Sequence, residues 1–226
     1  MVDHDSGIEL APVQRVADNV STTLRQAVLS GRLEVGQKLS VPALAQELGV
    51  SRSPVREAVA RLIAEGLAVE IPRRGAVVRR LTEDDLAELY EVREALEGVV
   101  ARLAVQRGGP DLPDRLDEVL AAHSDALDRG DLDASLEHDT GFHALIRRAA
   151  QHDYAARLLD QIQSKVVLAM RTTMVTAGPH KALEDHRGIA AAVRLADAEL
   201  AERRARLHIV RLRDALRLGG PDPATT

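Results

Sequence analysis

Three histidines and one aspartate occupy positions where a helix would normally place apolar residues. On the register Leu132, Leu136, Asp139, His143, Ile146, Ala150, Asp139 and His143 lie four residues apart on the apolar side of a helical segment. His186 falls on a second apolar stripe with Leu183, Ala190 and Val193. His208 falls on a third, with Ala201, Ala205, Leu212 and Ala215. A lone inward histidine is usually a satisfied core residue, but a buried carboxylate without a partner is costly. Four such groups, aimed inward from three helices, would all be satisfied by one shared metal ion. Three imidazoles and a carboxylate without sulfur suit a divalent transition metal: zinc first, with nickel, manganese and iron also compatible. An ion preferring five or six ligands would keep room for water or for the carboxylate of a small acid.

Arg93 is the next inward charge, interrupting the stripe Leu86, Leu89, Tyr90, Arg93, Leu96, Val100. It has two readings. One is an internal pair with Glu97, four residues on. The other is a guanidinium fork gripping a carboxylate effector. A metal-dependent hydrolase or isomerase is the competing use of the cluster. It needs a general base near the ion, and Glu184 and Asp185, the conceivable bases, precede His186 at positions expected to face solvent.

The elements that must position these groups are helical. Thr82 with Asp85 three residues on forms a capping box that opens a helix over Glu83–Arg107. Further helices are expected at Leu112–Arg129, Leu132–Ala150, Asp153–Thr172, His180–Leu195 and Ala198–Leu218, separated by short Gly-, Pro- or Asp-containing breaks. Six helices with short connections imply an all-α antiparallel bundle. The other histidines, His4, His123, His138, His152 and His180, are read as surface or packing residues.

The N-terminal third has a different character. From residue 12 to 80 there are 11 Lys and Arg against 6 Asp and Glu, whereas residues 81–226 carry 19 against 26. A basic third joined to an acidic remainder points to two domains, one facing a polyanion. VQRVADNVSTTLRQAVLSGRL reads as a helix with Val13, Val16, Val20, Leu24, Ala27 and Val28 inward. Ser40 can cap a second helix, VPALAQEL, and Ser51 or Ser53 a third, SRSPVREAVARLIAEG. Arg52 and Arg56 share the polar side of that third helix near its start. LAVEI and GAVVRRL, β-prone runs around PRRG, read as a hairpin with a basic tip. Together these make a winged helix-turn-helix. The fold class expected is therefore mainly α, with one small β-hairpin wing.

The whole chain has 226 residues and no cysteine, which excludes disulfides, thiolate metal sites and a cysteine nucleophile. Its only aromatic residues are Tyr90, Tyr154 and Phe142, so the core must be built from Ala, Leu and Val. No apolar run approaches the roughly 20 residues needed to cross a bilayer, and the acidic start lacks the parts of a signal peptide. A cytoplasmic location and no membrane partner are expected. The expected organisation is a flexible arm over 1–11, a DNA-binding domain over 12–80, a helical domain over 81–218 and a flexible tail over 219–226.

Residues 13–80, above all GVSRSPVREAVARL, resemble the DNA-binding domain of the GntR family of bacterial transcription regulators. The resemblance implies that Ser51, Arg52, Ser53 and Arg56 meet DNA from the recognition helix, and Arg73, Arg74 and Gly75 from the wing. Arg52 and Arg56 then become the base readers, while Arg61 has an intrahelical partner in Glu57. DxxxH, a histidine behind an acidic residue, and a late histidine after DAELAERRARL resemble the FadR-type C-terminal (FCD) domain, in its metal-carrying branch. That resemblance covers residues 82–218 and implies that Asp139, His143, His186 and His208 are the ligands. It implies a regulator rather than an enzyme: a homodimer on a near-palindromic double-stranded operator, controlled by a small organic acid, with release of DNA the commoner outcome. A purely structural metal, or another effector, is the alternative within the same family. The chain departs from its relatives at Pro42, where one member type has a DNA-reading arginine. It departs again at Gln151-His152-Asp153, where relatives tend to have Ser-Gly-Asn.

Overall fold

The structure, a computed structural model, describes residues 12–173 and 179–218. The expected arm and tail lie outside the described residues. The chain divides into two compact units, residues 1–80 and 81–226.

The first unit contains α1 (Pro12–Leu29), α2 (Val41–Leu48), α3 (Arg52–Ala64), β1 (Ala68–Ile71) and β2 (Gly75–Val78). Helix α1 buries Ala17, Val20, Leu24 and Val28 against α3, which buries Val55, Ala58, Val59 and Leu62. The inner stripe of α1 is rotated from the expected one: Val16 is 41% exposed and Ala17 takes its place. A helix has 3.6 residues per turn, so Ala17, Val20, Leu24 and Val28 form one face and Val16 falls beside it. Gly49, at φ 66°, ends α2 in a left-handed conformation that lets the chain turn at once into α3. Strands β1 and β2 pair antiparallel, from Ala68 opposite Val78 to Ile71 opposite Gly75. The segment before α2 adds a bridge, Lys38 opposite Val77, which the sequence pattern did not reveal.

The second unit is a bundle of α4 (Glu83–Arg107), α5 (Leu112–Asp128), α6 (Leu132–Ala149), α7 (Asp153–Thr173), α8 (Pro179–Arg194) and α9 (Ala198–Leu218). Its core is small-residue and aliphatic: Val100, Ala104, Leu116, Leu159 and Ala201 are buried around the single phenylalanine, Phe142. Helix α9 packs along α4. Their approach is close enough that a Cβ on Gly98 would lie 2.6 Å from Arg206 Cγ, so glycine at that position lets the helices meet. On α6, Leu132 is 67% exposed rather than inward, because the buried face of that helix runs through Ser135, Phe142, His143 and Ile146.

The two expected serine caps differ from the expected threonine cap. Thr82 accepts from the Asp85 amide while the Asp85 carboxylate accepts from the Thr82 amide, a reciprocal box. Ser40 and Ser51 occupy N-cap positions without a side-chain cap hydrogen bond. Thr82→Ala should therefore cost about 0.5–2 kcal/mol in the unfolding of the second unit. Ser40→Ala should stay within about 0.5 kcal/mol for the first. Denaturant titrations fitted separately for the two units check this, and equal losses would contradict it.

Candidate metal centre and nucleic-acid interface

Three helices deliver the three histidines to one point. His143 on α6, His186 on α8 and His208 on α9 are at most 2% exposed. One ring nitrogen of each lies within 4.8 Å of the others. His186 Nε2 and His208 Nε2 are 3.1 Å apart. An ion about 2.1 Å from each of two imidazole nitrogens would set them roughly 3.0–3.4 Å apart, so this spacing fits a shared cation. Asp139, half-buried one turn before His143, stands at the edge of the cluster with Oδ1 3.8 Å from His186 Nε2. The four residues singled out in the sequence are thus brought together, with the carboxylate set further out than the imidazoles.

Electrostatics keep His186 and His143 in the form that ligates. Burial lowers His186 well below its ordinary value, and His208, His143, His123 and Arg93 nearby push the same way. Burial also lowers His143, against an opposing pull from Glu97. Neutral imidazoles with free lone pairs are what a metal ion requires. Phe142 fixes the remaining ring by stacking on His186 at 4.3 Å. The donor set, spacing and protonation all fit a divalent transition metal.

A polar network continues from this cluster along α4 and α6. Ser135, Asp139, His143 and Arg147 are spaced four apart on α6, and Arg93 and Glu97 likewise on α4. Arg93 is 2% exposed; its Nε lies 3.4 Å from Glu97 Oε1 and its Nη2 3.2 Å from His143 Nε2. Arg147, also buried, donates to Glu97 Oε1 at 2.9 Å, to Asp160 at 3.1 Å and to Gln163 at 3.3 Å. Burial alone would raise the Glu97 carboxyl, but His143, Arg147 and Arg93 outweigh it and hold it well below the usual carboxylate range. Glu97 therefore pairs with Arg93, as one reading of the sequence had it, and also faces His143.

Asp185 is a correction. Expected to face solvent, its side chain is only 8% exposed, with Oδ2 3.5 Å from His208 Nδ1 and an ion pair to Arg211. Glu184 does face solvent, paired with Lys181. His123 was read as surface or packing; it is buried, with Nε2 3.1 Å from Ser135 Oγ and its ring 6.2 Å from that of His186. Sequence reasoning missed Arg147, and the one available signal was its place four residues beyond His143. An open groove of about 820 Å³ lined by Arg102, Gln106, Arg203 and Arg206 contains none of these residues.

In the first unit, Ser51, Arg52, Ser53 and Arg56 line the exposed start of α3, and Arg73, Arg74 and Gly75 form the exposed turn between β1 and β2. Arg73 adopts φ 63° and Gly75 φ 79°, the left-handed backbone of a tight tip. Among the described residues, no side-chain hydrogen bond or ion pair engages Arg52, Arg56, Arg73 or Arg74. Arg61 differs: its guanidinium is held by Asp18 and Glu57, each at 2.7 Å.

Comparison with known proteins then places the chain. Residues 16–78 match the pattern of bacterial regulatory proteins of the gntR family, and residues 88–211 match the FCD domain. The chain belongs to the GntR family, with an FCD domain behind the winged head. It is 35% identical to the gluconate operon transcriptional repressor of Bacillus subtilis (strain 168), over 69% of this chain and 65% of that protein. It is 32% identical, over 86% of this chain and 85% of the relative, to the protein of Paenarthrobacter nicotinovorans named "Probable D-xylose utilization operon transcriptional repressor". The match to the gluconate repressor thus spans less than two thirds of that protein's length. The fold is like that of McbR/YncC of E. coli, with a TM-score of 0.78 at 22% identity, covering 90% of this chain and 97% of that one. The family is one of regulators, so the reading of the cluster as an enzyme centre has no support from these relatives. No helix among the described residues is long and apolar enough to cross a membrane.

The depressed values of His143 and His186 set a pH dependence for the second unit. Their folded values lie below the unfolded value of about 6.5, so the unfolded chain takes up protons first as the medium acidifies. The stability they contribute is present above about pH 6.5 and lost as pH falls below it. In chelator-treated protein the melting temperature of the second unit should drop between pH 7 and pH 5, and a flat profile would contradict the burial argument.

Proposed function

We propose that this GntR-family protein is a DNA-binding transcriptional repressor whose operator affinity is set by a small organic acid bound at a metal ion in its FCD domain. The convergence of His143, His186 and His208, with Asp139 at the edge, carries the reading. Those four residues hold the ion, with zinc the first choice and nickel, manganese and iron compatible. When bound, the ion supplies a Lewis-acidic point that accepts one carboxylate oxygen of the effector. Arg93, beside His143 Nε2, offers its N–H groups to the same carboxylate. Burial of all three rings keeps competing water away from the ligands.

The DNA-facing groups are Ser51, Arg52, Ser53 and Arg56 on α3 and Arg73, Arg74 and Gly75 at the hairpin tip. Guanidinium groups without internal partners among the described residues can bridge guanine O6 and N7 in the major groove, while hydroxyls and the tip hold phosphates. A homodimer would carry two such heads to a near-palindromic duplex. The acid changes DNA affinity to the extent that it binds one arrangement of the dimer better than another. The two relatives named above are named as repressors, which supports the repressor reading. A cytoplasmic location follows from that role.

Three experiments test the proposal. Elemental analysis should find about one divalent transition ion per chain, and a thermal-shift screen should find a small carboxylate that raises the melting temperature only in the metal-loaded protein. His143→Ala should abolish that shift; its survival would rule out an effector bound at the metal. On a duplex selected from a random pool, Arg52→Ala should weaken binding by about 5- to 150-fold, the loss of 1–3 kcal/mol of base reading. Arg61→Ala, which removes a guanidinium already engaged inside the protein, should have little effect on affinity. Equal effects of the two substitutions would overturn the assignment of Arg52.

A further inference from the structure

We infer that Glu97 and Asp185 are positioning residues for the metal site, each fixing the tautomer and direction of one histidine ring through its Nδ1 and each held in turn by an arginine. This rests on the metal reading above. Glu97 Oε1 lies 3.5 Å from His143 Nδ1, and Asp185 Oδ2 lies 3.5 Å from His208 Nδ1. On the opposite side of the same rings, His208 Nε2 faces His186 Nε2 at 3.1 Å and His143 Nε2 faces Arg93 at 3.2 Å. A carboxylate can only accept, so a ring nitrogen facing one carries the proton. With Nδ1 protonated, Nε2 keeps its lone pair and points it into the cluster. Both histidines are thereby set as Nε2 ligands.

The carboxylates are themselves fixed. Glu97 receives Arg147 Nη2 at 2.9 Å and Arg93 Nε at 3.4 Å, all inside the bundle. Asp185 is paired with Arg211 across from α8 to α9. The arrangement occurs twice from unrelated parts of the chain: α4 to α6 for His143, and α8 to α9 for His208. His186 lacks it. Neither the His186 nor the His208 Nδ1 is in a formed hydrogen bond among the described residues: that of His208 faces Asp185 at 3.5 Å, whereas the His186 ring is held by the stack on Phe142. An ionised partner on Nδ1 also makes the ring a better electron donor at Nε2, which strengthens a metal–nitrogen bond.

Co²⁺ titration of the full chain, read by its visible absorption and by competition with Zn²⁺, tests this. Glu97→Gln and Asp185→Asn keep an acceptor oxygen and remove the charge. Each should weaken Co²⁺ binding about 10- to 100-fold without changing the one-ion stoichiometry. Asp185→Glu, which restores the charge, should recover part of the loss. A merely structural role would lower the melting temperature of the metal-free protein and leave the Co²⁺ affinity where it was. Glu97 is buried between two arginines, so if Glu97→Gln does not fold, Asp185→Asn, at the less enclosed end, decides. Binding by folded Asp185→Asn within twofold of wild type overturns the inference while leaving the metal reading intact. A wild-type chain that binds no Co²⁺, or a His143→Ala chain that binds it as tightly as wild type, overturns the metal reading and this inference with it.

Discussion

Polar groups buried in an aliphatic bundle must satisfy one another, and that constraint organises the second unit. A charged group taken out of water costs several kcal/mol unless it is paired. Here Arg93, Arg147 and Glu97 are buried together, and the geometry shows how: one carboxylate oxygen takes contacts from both guanidinium groups and from His143. Remove that oxygen and two buried cations are left facing an imidazole. The same logic joins Asp185 to His208 and Arg211. The histidine cluster is thus the middle of a polar seam, and the aliphatic core around it keeps the seam dry enough for its contacts to be strong.

Much of this fold could be read before any coordinates. The six helices of the second unit have ends within a residue of those expected, because Ala, Leu, Glu and Arg dominate them and Gly, Pro and Asp punctuate the breaks. The wing was legible as two β-branched runs around Arg73, Arg74 and Gly75. The bridge at Lys38 was not, since a lone residue pairing across 39 positions leaves no periodic trace. The misplacement of Val16 has a different cause. Its helix carries apolar residues on more than half a turn, so several registers fit and only packing against α3 selects one.

The candidate site was legible in proportion to how local its signals were. Asp139 and His143 announce themselves by breaking an apolar stripe at one-turn spacing, and His186 and His208 by doing the same on their own helices. Glu97 was visible only as the neighbour of Arg93, because an i, i+4 pair explains it fully within one helix. Its contacts to His143 and Arg147 come from α6, 46 and 50 residues away. Asp185 was misjudged for a related reason. Adjacent helical residues point about 100° apart, so the residue before an inward histidine is expected outside. Helix α9 crosses close enough to cover that flank and turns an outer position into an inner one.

Arginine shows how partner geometry, rather than residue type, decides function in this chain. Arg61 is on the same helix as Arg52 and Arg56 and carries the same charge, yet Asp18 and Glu57 hold it at 2.7 Å each. Its N–H groups are already spent on neighbours within the unit. Arg52 and Arg56 sit nine and five residues earlier, on the exposed start of α3, with their donors uncommitted among the described residues. Arg147 is the opposite extreme, buried and surrounded by acceptors. A guanidinium offers five donors in a rigid plane, so its behaviour follows from how many the protein itself consumes. Where internal acceptors take them, as at Arg147, the arginine builds structure. At α3 they remain available, and an external polyanion is the acceptor they fit. Arg93 lies between these cases, its contacts to Glu97 and His143 both long at 3.4 and 3.2 Å. Loose internal bonds are those a stronger acceptor can replace, which supports the proposed pairing of Arg93 with a carboxylate beside His143.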